Sequence, residues 1–184
     1  MVRLVISEVL LLYGYPLRIQ KRHITRRVPN LGFAHVDIRN ARYNPRGSVE
    51  GERFRFEYDD RSFALCALFS VFTHMYETDI RNYLREIARL LRTGGRCVAT
   101  FFLYDDQRLS CVTSQRCNLP MEHVLNEHTR YYNAEDPLHA IAYHRDYVEQ
   151  MVKSCGLNML DWRYGNWGGD GGATYQDVMI LARP

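Results

Sequence analysis

The chain has 184 residues, of which 46% are hydrophobic and 24% are charged, and its formal net charge is +3. These values predict one soluble globular domain over residues 1–184, which is large enough for a hydrophobic core and too short for two domains. The small, dispersed positive charge does not indicate a nucleic-acid partner, and five cysteines without close pairing favour a reducing compartment, so we expect a cytoplasmic protein.

The N-terminal third predicts two strands separated by a helix. Val2–Tyr15 is dense in apolar residues and is expected to be a core strand, since it is shorter than the roughly 20 residues of a membrane-spanning helix. Leu17–Val28 predicts a short basic helix with a solvated charged face. Phe33–Asp37 follows as a strand with Asp37 at its carboxyl end, and Tyr43–Gly47 is typical of a turn.

The middle of the chain predicts a β-α-β unit. Phe63–Phe72 is an almost unbroken apolar run, which is typical of a strand covered on both faces. Asp79–Arg92 shows helical periodicity and is expected to stop at Gly94-Gly95, and Cys97–Leu103 is the next apolar strand. Ligands of open parallel sheets bind beyond the carboxyl ends of the strands, which makes Ser70–Met75 and Thr100–Asp106 the functional candidates.

The last third of the chain predicts an insertion followed by the end of the sheet. Residues 105–142 are polar and weakly periodic, which favours a lid or substrate-selecting segment over the ligand crevice. Asp146–Cys155 predicts a helix, and two strands are expected at Leu157–Tyr164 and Thr174–Ala182. The glycine-rich connection Gly165–Gly172 is too long for a tight hairpin turn and suggests a mobile surface loop.

Several of these segments, in this order, resemble the class I S-adenosylmethionine-dependent methyltransferases, specifically the small-molecule methyltransferase-like domains of bacteria. The resemblance is carried by the segments SVFTHM, YLREIARLLRTGG, RCVATFFL, AIAYHRDYVEQMVKSCGL and YQDVMILA. It implies an α/β fold with a Rossmann-like, mostly parallel sheet and a C-terminal antiparallel hairpin. It also implies S-adenosylmethionine as cofactor and a small molecule as methyl acceptor.

The resemblance further implies which residues face the cofactor. Asp37, at the position of an acidic residue that contacts the adenine amino group in this family, is expected to have Ile38 beside it along the ring. The alternative is that Asp37 caps the turn that follows its strand. The loop after the apolar strand would face the methionine half, with Phe72 as an aromatic wall for the sulfonium cation and His74 as a histidine that either fixes the loop or accepts a proton. The expected cofactor-binding residues are Asp37, Ile38, Ser70, Val71, Phe72 and His74.

The chain departs from the family at its N-terminal end, where no glycine-rich turn occurs before residue 60. The sheet therefore looks N-terminally truncated: either Val2–Leu12 replaces the missing central strand, or the neighbouring strands pair directly. The alternative function is a degenerate domain without catalytic activity that acts as an interaction module. A zinc-stabilised module on Cys111, Cys117, His123 and His128 is a weaker alternative, and no metal is expected because their spacing is wider than in usual zinc sites.

Overall fold

The computed structural model describes residues 2–6, 9–13, 31–169 and 171–184, with the backbone alone described in residues 2–6, 9–13 and 31–35. The strands are β1 (Val2–Ile6), β2 (Val9–Tyr13), β3 (Leu31–His35), β4 (Ile38–Arg39), β5 (Val49–Glu50), β6 (Phe63–Phe69), β7 (Leu91–Phe101), β8 (Leu103–Tyr104), β9 (His123–Asn126), β10 (Thr129–Tyr131), β11 (Ile141–His144), β12 (Asn158–Arg163) and β13 (Asp177–Ala182). The helices are α1 (Glu77–Leu90), α2 (Leu109–Val112) and α3 (Arg145–Ser154), with 3-10 turns at Gly51–Arg53, Phe72–His74 and Pro137–His139.

The main sheet has seven strands in the order β12-β13-β7-β6-β2-β1-β3. The pairings orient β12, β7, β6, β2 and β3 in one direction, with β13 and β1 running in the other. This confirms the predicted α/β fold and its antiparallel C-terminal hairpin, β12–β13. Five of the seven strands share one direction, but only the pairs β7–β6 and β6–β2 are parallel, because β13 and β1 run between strands of the other direction. None of the helices in the described ranges has the length and apolar composition needed to cross a membrane.

The N-terminal apolar segment forms two strands, whereas the sequence predicted one. β1 and β2 pair antiparallel, with Ile6 opposite Val9. β2 then pairs in parallel with β6, from Val9 opposite Leu65 to Tyr13 opposite Phe69. The second strand of the hairpin therefore fills the place beside β6, so its backbone groups are paired rather than left open at a buried edge. The predicted helix over Leu17–Val28 lies outside the described residues.

The predicted β-α-β unit is present with shifted boundaries. β6 and β7 pair in parallel. α1 buries Ile80, Leu84 and Ile87 in the same hydrophobic core as the buried side chains of these two strands. The helix ends at Leu90 rather than at the glycine pair, because Leu91 is already extended and pairs with Phe63 of β6. Residues 105–142, expected to form a lid or insertion, contribute β9, β10 and part of β11 to a second sheet, ordered β8-β11-β10-β9. Their role as a lid stays a prediction.

Candidate functional site

The carboxyl ends of β3, β2 and β6 lie at one edge of the main sheet, since His35 and Tyr13 both lie opposite Val2 of β1, and Tyr13 lies opposite Phe69. The loops that follow β3 and β6 meet beyond this edge. Asn40 Nδ2 donates a hydrogen bond to the carbonyl of His74 at 3.0 Å, and the rings of Tyr43 and His74 meet edge to face at 5.2 Å. The two loops therefore enclose a shared space.

That space is a partly open cleft with an enclosed cavity volume of about 60 Å³, within about 520 Å³ of empty space that includes open solvent. Four of the six residues predicted to face a cofactor line this cavity, namely Ile38, Ser70, Val71 and His74. The other two, Asp37 and Phe72, do not line it. α1 contributes a further wall that the sequence reasoning missed. The lining residues are Ile38, Arg39, Asn40, Tyr43, Asn44, Ser70, Val71, His74, Met75, Asp79 and Tyr83.

Ser70 marks the point where the chain leaves β6. Its φ of 53° is in the left-handed region, which is uncommon for a residue with a side chain and is often found at functional sites. Its backbone N–H donates to Thr100 Oγ1 at 2.9 Å, and its hydroxyl donates to Gln176 Oε1 at 3.2 Å. Contacts with β7 and with the residue before β13 thus hold the loop in this conformation.

His74 is partly buried at the far end of the same loop. Its Nδ1 lies 3.0 Å from the carbonyl oxygen of Leu138, and because a carbonyl accepts, Nδ1 carries the hydrogen. In the neutral ring the other nitrogen, Nε2, then has the basic lone pair. Burial lowers the pKa of His74, so the neutral form is favoured near pH 7.

Asp37 and Phe72 have other surroundings. The exposed carboxylate of Asp37 accepts hydrogen bonds from Asn44 Nδ2 at 2.9 Å and from the hydroxyl of Ser48 at 2.7 Å, so it fixes the turn that follows β3. Phe72 is fully buried and packs on the ring of Phe101, with 4.9 Å between the ring centres. Contacts of these two residues with a cofactor stay predictions.

The other predicted groups do not line this cavity. In Thr100–Asp106, the carboxylate of Asp105 is occupied by the hydroxyl of Tyr164 at 2.6 Å and by Arg145 at 3.1 Å. Over the described ranges, no group of three or more His, Cys, Asp or Glu side chains is arranged to hold a metal ion. The candidate zinc ligands are instead dispersed: Cys117 Sγ donates to the carbonyl of Trp167, and His128 stacks on Tyr147.

The glycine-rich connection is anchored, in contrast to the mobile surface loop that the sequence suggested. Gly165 N–H and Trp167 Nε1 donate to the buried carboxylate of Asp177 at 2.6 and 2.8 Å. Trp167 is fully buried, and its ring packs against Phe102. Gly165 and Trp167 are therefore buried at the start of this connection, and neither lines the cavity.

Gly47 allows the loop after β3 to approach itself closely. A Cβ atom at this position would lie 2.4 Å from the backbone nitrogen of Arg39 and 2.5 Å from the carbonyl carbon of Ile38. We expect Gly47→Ala to displace the Ile38 wall of the cavity and to lower the thermal unfolding midpoint, whereas Arg46→Ala, at an exposed neighbour, should leave it unchanged. Equal midpoints for the two variants in a thermal scan would contradict this account.

Comparison with known proteins places this geometry in context. Residues 18–99 match the family described as "Methyltransferase domain", which confirms the resemblance over those residues. Among solved structures, the chain is similar to a Burkholderia thailandensis 1,6-didemethyltoxoflavin-N1-methyltransferase, with 13% identity, a TM-score of 0.47 and coverage of 74% of this chain and 49% of that one. A Methanosarcina mazei S-adenosylmethionine-dependent methyltransferase has 14% identity, a TM-score of 0.49 and coverage of 77% and 71%. The chain thus spans about half the length of the first of these proteins.

Proposed function

Since residues 18–99 match the methyltransferase domain family, we propose that this protein transfers a methyl group from S-adenosylmethionine to a small-molecule acceptor. The observation that carries the proposal is the cavity formed by the loops after β3 and β6, at the sheet edge where ligands of parallel sheets bind. Free cysteines at all five positions are compatible with the cytoplasmic location that we also propose.

The residues of the cavity fit the two kinds of surface that the cofactor presents. Ile38, Val71 and Met75 supply apolar walls for a nucleobase, and Asn40 and Ser70 supply polar groups. When bound, S-adenosylmethionine supplies an activated methyl group on its sulfonium. The protein then has to hold the acceptor in line and exclude water, for which it needs no covalent step of its own.

His74 is the residue of the cavity best suited to take a proton from the acceptor. Its Nδ1–H is directed to the carbonyl of Leu138, and its pKa is lowered by burial, so Nε2 is unprotonated at neutral pH and has a lone pair that can accept a proton. Leu138 belongs to the 3-10 turn Pro137–His139, which lies within residues 105–142. The segment expected to act as a lid therefore also orients the His74 ring. We propose His74 as the general base for an acceptor with an ionisable hydroxyl or amine.

Calorimetric titration with S-adenosylhomocysteine tests the proposal. We expect one binding site per chain, and we expect Tyr43→Ala to weaken binding by about threefold to tenfold, because aromatic contacts contribute about 0.5 to 1.5 kcal/mol. Arg46→Ala, which changes an exposed residue outside the cavity, is the matched control. Asp37→Ala tests the predicted contact of Asp37 with the adenine.

A wild-type titration without heat, repeated at two temperatures, would contradict the proposed function. It would favour instead the degenerate domain that binds no cofactor and serves as an interaction module. The sequence feature that favours this second function is the lack of a glycine-rich turn before residue 60.

A further inference from the structure

Asp79 places one carboxylate in the wall of the cavity. It lies in the first turn of α1, and the backbone of Glu52 donates a hydrogen bond to it. Gly51 packs so closely that a Cβ atom there would lie 2.7 Å from the Asp79 Cγ. The carboxylate is therefore fixed between the helix and the 3-10 turn of Gly51–Arg53.

The described residues around this carboxylate do not neutralise its charge. Within the part of the chain that the structure describes, Asp79 forms no ion pair, and Arg39, which also lines the cavity, is paired with Glu50 at 2.7 Å. Burial, and then the negative charges of Glu52 and Glu50, raise the pKa of Asp79 above its ordinary value of 3.8. The cavity thus presents a charged acceptor that has capacity for a donor from a ligand.

This arrangement has a consequence for stability. Because the pKa of Asp79 is raised by folding, its contribution to stability is complete below pH 3.8 and is lost as the pH rises through the folded-state value. At neutral pH the ionised carboxylate therefore opposes folding. Asp79→Asn should be at least as stable as the wild type, so a loss of binding in this variant cannot be ascribed to unfolding.

Asp79 lines the same space as the apolar residues that would hold a nucleobase. Ile38, Val71 and Met75 form apolar walls, and Asp79 supplies an acceptor at the side of the same space. The carboxylate of Asp37, in contrast, is exposed and is used by Asn44 and Ser48. We propose that Asp79 accepts a hydrogen bond from the exocyclic amino group of the adenine and so determines the preference for an adenosyl ligand.

This inference rests on the proposed function, and a ligand that lacks the amino group separates the two. Calorimetry with S-adenosylhomocysteine and with S-inosylhomocysteine, which has an oxygen in place of that amino group, is carried out on the wild type, Asp79→Asn and Asp37→Asn. We expect the wild type to prefer the adenosyl ligand by about tenfold or more, because hydrogen bonds to charged groups contribute about 1.5 to 3 kcal/mol. Asp79→Asn should lose or reverse this preference, since an amide can donate to the inosine oxygen, whereas Asp37→Asn should keep it.

The outcomes separate the two proposals. If the wild type binds the adenosyl ligand and Asp79→Asn keeps the full preference, the role of Asp79 is overturned and the proposed function stands. A preference that disappears in Asp37→Asn instead would restore the contact implied by the family resemblance and overturn this one. If the wild type binds neither ligand, both proposals fall together.

Discussion

Replacing Arg108 by alanine is expected to lower the free energy of unfolding by about 3 to 5 kcal/mol, because the change leaves a buried carboxylate without its counter-charge. Arg108 and Asp177 form an ion pair at 3.1 Å, with side-chain exposures of 5% and 0%. The guanidinium also donates to the carbonyls of Leu103 and Gly165, and it lies 4.0 Å from the ring centre of Tyr164. A loss of this size is a large part of a typical total stability of about 5 to 15 kcal/mol.

Urea unfolding of Arg108→Ala measures the loss, and Arg163→Ala is its control. Arg163 pairs with Asp161 at 3.4 Å on the surface, with exposures of 81% and 47%, so its removal should change the free energy of unfolding by less than about 0.5 kcal/mol. Equal losses for the two variants would show that burial of the first pair has no energetic consequence.

The same experiment has a pH dependence. Burial raises the pKa of Asp177 to about 6, while Arg108 and the surrounding donors act in the opposite direction. Removing Arg108 should raise this pKa further, so that the carboxyl group is protonated in the folded variant at mildly acidic pH. A raised folded-state pKa makes the free energy of unfolding fall as the pH rises, and this fall continues to a higher pH in the variant than in the wild type. The loss of stability caused by Arg108→Ala should therefore be smaller at pH 5 than at pH 8.

The sequence predicted the parts of the fold that depend on local patterns. The apolar run that begins at Phe63 and the periodic segment of α1 have the two periods that distinguish a buried strand from an amphipathic helix. The pairing of β2 with β6 joins segments more than 50 residues apart, and no local pattern specifies it. The Arg108–Asp177 pair, separated by 69 residues, escaped prediction for the same reason.

The candidate site shows the same division. Ile38, Ser70, Val71 and His74 were predicted because they follow the carboxyl ends of strands, which is a rule about topology. Asp79 and Tyr83 were missed as cavity residues. They lie one helical turn apart on α1, and residues that face a ligand recur along a helix at the same spacing as residues that face the core, so the sequence pattern does not distinguish them. Tyr43 was part of a turn prediction, which did not indicate that the turn would reach His74.

Phe72, predicted as a cofactor contact, does not line the cavity. The left-handed conformation of Ser70 ends β6, and the following 3-10 turn buries Phe72 while His74 lines the cavity. The ring of Phe72 packs at 4.9 Å from Phe101 and at 6.4 Å from Tyr83. Phe72 thus occupies the core beneath the loop.

Phe72→Ala is therefore expected to lower the free energy of unfolding by about 3 to 5 kcal/mol, since removal of a buried phenyl ring leaves a cavity in the core. Val124→Ala, at a side chain that is 58% exposed, is the control and should have little effect in the same urea titration.

Phe72→Leu keeps most of the apolar volume and tests the role of the ring in binding. An aromatic wall for the sulfonium would attract the cation of S-adenosylmethionine but not the uncharged thioether of S-adenosylhomocysteine. Because Phe72 does not line the cavity, we expect Phe72→Leu to change both affinities by the same factor, and a selective loss for S-adenosylmethionine would contradict this position of the ring.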